Sequence, residues 1–179
     1  SSIPFSYLGG DAQPTGFGWE ICGKIVDAVK KATGRADLKV NTQAVTSQNR
    51  IPLVQNGTVD IGCGPATNTL VRQQQVAFAV TTYISQVRMA VRVDSGITEW
   101  KQLDGKTASA TTGTTAVQLL RKLERDLNIK VNVAQQKDNI ESPLSVATGR
   151  AAALVLPCRI GPHFGLRAVF HGQNAVADA

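Results

Sequence analysis

The segment Ala151-Ala152-Ala153-Leu154-Val155-Leu156 carries no polar side chain. A strand of that kind is stable only where both of its faces are covered, as they are inside a sheet layered with helices. The rest of the chain fits such a layer, because strand-like and helix-like runs alternate along most of its length.

Phe17, Ile21, Ile25 and Val29 repeat every four positions and predict a helix ending near Thr33-Gly34. Leu38, Val40, Thr42 and Ala44 alternate as a strand does. Ser47 is the expected N-cap of a short helix through Leu53 and Val54, stopped by Asn56-Gly57. A second short strand is expected over 59–63 and a helix over about 68–75. The alternation of Val87, Met89, Val91 and Val93 with Arg88, Ala90 and Arg92 predicts a long strand connecting two lobes, closed by the turn Asp94-Ser95-Gly96.

A second series follows: a turn at Asp104-Gly105, a strand over 107–110, a helix turning Ala116, Leu119, Leu120, Leu123 and Leu127 inward, and a strand at Val131 and Val133. Ser142-Pro143 predicts an N-cap with proline at the first helical position, and that helix should end at Gly149. Beyond Leu156 no element is predicted. The fold class is therefore α/β, with two lobes of mostly parallel sheet over 1–85 and 86–156, a divergent segment over 157–179, and ligand-binding loops at the carboxyl ends of strands.

Composition narrows the function. A net charge of +6 favours an anionic partner. Lys and Arg are scattered, the longest basic run being Lys30-Lys31, and the chain has five Phe and two Tyr, so a nucleic-acid surface is not expected. No apolar run approaches the ~18 residues of a membrane helix, and Ser1-Ser2-Ile3-Pro4-Phe5 has neither the basic nor the apolar region of a signal peptide. Cys22, Cys63 and Cys158 lack the spacing of a zinc or redox motif; they read as three small buried side chains or as a Cys22–Cys63 disulfide with one thiol left over. Gly16-Phe17-Gly18 lacks the third glycine of a dinucleotide fingerprint, and no catalytic or phosphate-loop motif is present, so no cofactor and no enzymatic chemistry are expected.

Three loops carry candidate binding residues. Thr111-Thr112-Gly113-Thr114-Thr115 places hydroxyls and backbone N–H groups at a helix start, which suits either a simple cap or a carboxylate. Thr67 and Arg72 lie across a strand-to-helix turn, where a guanidinium fork can grip a carboxylate or simply face solvent. Ser47-Gln48-Asn49-Arg50 repeats that arrangement. Two arginines at successive loops suit a ligand with two negative groups.

Taken in order, the opening Ser2-Ile3-Pro4-Phe5-Ser6-Tyr7, the block Thr46-Ser47-Gln48-Asn49-Arg50-Ile51-Pro52-Leu53, the run Gln55-Asn56-Gly57-Thr58-Val59-Asp60 and the Thr111–Thr115 loop resemble periplasmic glutamate/aspartate-binding proteins of ABC transporters, from Ser1 to about Leu156. The resemblance implies a periplasmic-binding-protein type II fold, truncated at both ends so that the first lobe is incomplete. It implies L-glutamate or L-aspartate as ligand, an ABC transporter permease as partner and a periplasmic location. Arg72 with Thr67 would hold the α-carboxylate, Gly113, Thr114 and Thr115 would add donors, and Arg50 with Ser47 would take the side-chain carboxylate. Asn139 stands where these proteins often carry a histidine, Pro65 where a serine is common, and Pro157 where an aspartate is expected to bind the ligand ammonium. An unpaired buried ammonium costs several kcal/mol, so weakened or lost binding is one expectation; a receptor's sensory domain and a non-binding remnant are the alternative readings. The incomplete lobe implies a homodimer.

Overall fold

The computed structural model describes residues 3–85, 87–137, 141–157 and 166–169. Its core is a five-stranded sheet of β3 (Val87–Arg92), β4 (Thr107–Thr111), β5 (Asn132–Gln136), β6 (Ala153–Pro157) and β7 (Leu166–Val169), in the order β5-β4-β6-β3-β7. β4 runs parallel to both β5 and β6, whereas β3 pairs antiparallel with β6 and β7. The sheet is thus mixed where the sequence predicts mostly parallel pairing. Strand–helix alternation reports only the crossovers of the second series, and β3 joins the sheet without one.

The alternation in β3 sorts its side chains between two cores. Met89 and Val91 pack with Trp100, Leu103 and Val155, together with Leu120 and Leu123 of α4 (Thr115–Leu127). Ala90 faces the other way, against Leu154, Leu166 and Val146 of α5 (Glu141–Ala147). Ala90 is therefore fully buried rather than solvent-facing. Both faces of β6 are covered, as its apolar run requires. Full burial of Leu120 or Leu103 contributes about 1.5–3 kcal/mol each.

Two expectations for this half need correction. Ser142 is not a cap; it lies inside α5 and is buried, its hydroxyl 3.3 Å from that of Thr111. The pattern-poor tail supplies β7, whose Leu-Arg-Ala-Val is too short to display a period but finds hydrogen-bond partners along β3.

Residues 3–85 are built differently. The hairpin of β1 (Tyr7–Leu8) and β2 (Pro14–Thr15) leads into α1 (Phe17–Thr33), which ends where Gly34 adopts a left-handed φ of 68° and donates its N–H to the carbonyls of Lys30 and Lys31. Only two further short helices follow among the described residues, α2 (Arg50–Gln55) and α3 (Leu70–Gln73).

The strands expected over 38–44 and 59–63 do not form. Alternation supplies an apolar face but not the neighbouring N–H and C=O groups that make a strand, and Val40 remains exposed. Ser47 does not cap α2 either. Thr46 and Asn49 bond reciprocally, the Asn49 amide donating to Thr46 Oγ1 and the Thr46 amide to Asn49 Oδ1, so the turn is closed without Ser47. The expected helix over 68–75 shortens to α3, because Thr69 caps it by accepting the Arg72 amide.

Candidate functional site

Arg50 opens α2, and its Nη1 donates to the Pro65 carbonyl at 2.7 Å. Arg72 lies in α3; its Nη1 donates to the Thr67 carbonyl at 2.9 Å and its Nη2 to the Gly113 carbonyl at 2.9 Å. The fork of Arg72 thereby ties the Pro65–Thr67 loop to the loop that precedes α4. Burial, and then the positive charge of Arg72, lower the Arg50 pKa to about 10. Burial also lowers that of Arg72. Arg50 Nε is buried without a hydrogen-bond partner among the described residues. A charged donor left unsatisfied in this way is costly.

Gly113 brings the loop before α4 against the Ser47-Gln48 turn. Its φ is 75°, and a Cβ built there would lie 2.7 Å from Gln48 Cα and 2.9 Å from the Ser47 carbonyl carbon. Any other residue at this position forces the two backbones apart. Thr114 is the N-cap residue of α4, but its hydroxyl donates to the Thr111 carbonyl at 2.6 Å instead of capping the helix. Thr115 is the first helical residue, so its N–H lies at the positive end of α4.

The structure therefore brings Arg50, Arg72, Thr67 and Gly113 together with the backbone of Ser47, and sets Thr114 and Thr115 beside them at the start of α4. Asn139 and Cys158 lie outside the described residues. Sequence reasoning missed the Pro65 carbonyl as an anchor for Arg50. It also favoured buried free thiols where Cys22 and Cys63 form a disulfide. No spacing in the sequence signals the pairing, and only the structure shows Cys63 entering the Gly64-Pro65 loop with no strand before it. The bridge fixes that loop to α1. Among the described residues there is no cluster of metal-binding side chains and no helix long and apolar enough to cross a membrane.

The architecture is that of known amino-acid receptors. A substrate-binding protein of an amino acid ABC transporter matches with a TM-score of 0.78 at 23% identity, over 94% of this chain and 73% of the other. The solute receptor for L-cysteine of Neisseria gonorrhoeae matches with a TM-score of 0.73 at 27% identity, over 86% of this chain and 59% of the other. The fold is thus of the periplasmic-binding-protein type II class.

Residues 1–147 match the model for bacterial extracellular solute-binding proteins, family 3, and the chain belongs to that family. The L-glutamate/L-aspartate-binding protein of Pseudomonas aeruginosa is 42% identical over 157 residues, 87% of this chain and 52% of the relative. The glutamate/aspartate import solute-binding protein of Escherichia coli is 37% identical over 156 residues, again 87% and 52%. The chain spans about half the length of these curated relatives.

Proposed function

We propose that this chain is the ligand-capturing part of a periplasmic receptor that binds L-glutamate or L-aspartate and delivers it to an ABC transporter permease, without catalysing a reaction. The observation that carries this reading is the placement of Arg50 and Arg72 at neighbouring loops with carbonyls, not carboxylates, as their partners. An anion with two carboxylates would neutralise both guanidiniums and gain charge-assisted hydrogen bonds from each. In this reading Arg72 and Thr67 hold the α-carboxylate, and Gly113, Thr114 and Thr115 add donors from the second lobe. Arg50 and Ser47 take the side-chain carboxylate, and Asn139, standing where such proteins often carry a histidine, is a further candidate ligand contact. The 42% and 37% identities to glutamate/aspartate-binding relatives support the choice of ligand.

Calorimetric titration with L-glutamate, L-aspartate and L-lysine tests it. Binding of the acidic pair and not of lysine is expected; equal binding of lysine, or no binding, overturns it. We also propose a homodimer, supported by the exposure of Phe17, Val29, Leu70 and Val71 in the first half. Light scattering that finds only monomer overturns that part.

A further inference from the structure

Trp19 and Cys22 stand one turn apart on the same face of α1, and both reach toward the loop that anchors Arg50. Cys22 is bonded to Cys63. Trp19 Nε1 donates to the half-buried Ser6 hydroxyl at 3.1 Å. Ser6 in turn faces Gly64, since a Cβ built at Gly64 would lie 3.7 Å from Ser6 Cβ and 3.8 Å from its Oγ. Gly18 closes in from the helix side, where an added Cβ would meet Gly64 Cα at 3.6 Å. The Ser6 segment is itself laid on the start of α1, with the Phe17 amide donating to the Pro4 carbonyl at 3.1 Å and the Gly18 amide to the Phe5 carbonyl at 2.8 Å. Residues 61–66 lie in no strand or helix, so lateral contacts rather than a ladder set the course of this loop. Pro65 follows Gly64 directly, and its carbonyl accepts the 2.7 Å bond from Arg50 Nη1.

We infer that Ser6 and Trp19 are positioning residues for Arg50: their hydrogen bond, acting through Gly64 and the Pro65 carbonyl, aims the guanidinium that receives the ligand's side-chain carboxylate. This rests on the proposed role of Arg50 in binding an acidic ligand, and it adds two determinants of that binding on the opening segment and α1. The disulfide fixes where the loop begins, and the Trp19–Ser6 bond sets the residue that comes next.

The test is calorimetric titration of the whole chain with L-glutamate for the unchanged protein, Ser6→Ala and Trp19→Phe, and for each of the three combined with Arg50→Gln. The two single variants remove the same bond from opposite ends, so either one carries the test if the other fails to fold. Each is expected to weaken binding about three- to tenfold, the strength of one neutral hydrogen bond. With Arg50→Gln in place the same substitutions should weaken it less than about twofold, because both act through the guanidinium already removed. Should Arg50→Gln bind too weakly to titrate, the side-chain nitrogen NMR resonance of Arg50 in the unliganded protein decides, and it should move in both single variants. Equal weakening with and without Arg50, unaltered affinity in the single variants, or an unmoved Arg50 resonance overturns the inference and leaves the proposed function standing. Absence of L-glutamate binding by the unchanged protein overturns both.

Discussion

Arg72 and Gly113 are 41 residues apart in sequence and joined by a 2.9 Å hydrogen bond from guanidinium to carbonyl. The same arginine holds the Thr67 carbonyl at 2.9 Å, so its two terminal nitrogens bridge the two loops that form the candidate site. Each function of that bridge can be separated by substitution.

Arg72→Lys keeps the charge but replaces a planar fork with a single point donor. It cannot hold Thr67 and Gly113 together. Ligand affinity is expected to fall by about 1.5–3 kcal/mol, the strength of a hydrogen bond to a charged group, or roughly 10- to 150-fold. Titration calorimetry reads this directly, and affinity equal to that of the unchanged protein would remove Arg72 from the site.

Gly113→Ala combines a left-handed backbone with a Cβ placed 2.7 Å from Gln48 Cα. The conformational term alone costs about 1–2 kcal/mol, and the steric term separates the Ser47-Gln48 turn from the α4 loop. Unchanged far-ultraviolet dichroism, a lower melting temperature and at least tenfold weaker binding are expected. A variant with full affinity would show that the close approach is not needed for capture.

The arginine pair sets a pH dependence. Arg50 titrates at about 10, below the ordinary arginine range, so its charged form is less favoured in the folded chain than in the unfolded one. The unfolded state therefore holds more protons between about pH 10 and the ordinary arginine range, and this group's destabilising contribution is present below pH 10 and fades above it. Arg50→Gln removes that contribution and leaves the Pro65 carbonyl a neutral donor. Unliganded stability is expected to stay level or rise by about 1 kcal/mol, while affinity falls at least tenfold. In the unchanged protein, affinity should be flat up to about pH 9 and decline above 10 as Arg50 loses its proton. Denaturant melts and titrations across that range check both signs.

The Cys22–Cys63 bridge closes a loop of sequence separation 41. The chain-entropy relation assigns such a loop about 4 kcal/mol. Cys63→Ser should lower unfolding stability by about 2–4 kcal/mol and weaken ligand binding, because Gly64 and Pro65 follow directly. A loss of stability with unaltered affinity would show that the Arg50–Pro65 contact positions the loop unaided.

Much of the sheet-bearing half is legible in the sequence, because its signals are local. Gly96, Gly105 and Gly113 take the left-handed conformations expected of turns and caps. The apolar face of α4 also matches the residues buried there. In the first half, Leu38 and Val40 alternate without a partner strand, and no property of those residues reports the missing neighbour. β7 is hidden for the converse reason, since its partners exist but its pattern is too short to see. For the site, the arginines and the threonine-rich loop are visible as residue types. The Arg72–Gly113 bridge and the Pro65 anchor depend on backbone carbonyls, which every sequence contains and none advertises.

The disulfide also couples the loop at the candidate site to the redox state of its surroundings. Wherever cellular thiols are kept reduced, Cys63 is untied and the loop carrying Pro65 and Thr67 has no strand to hold it in place. Oxidation of the two thiols would then fix that loop to α1 in one covalent step.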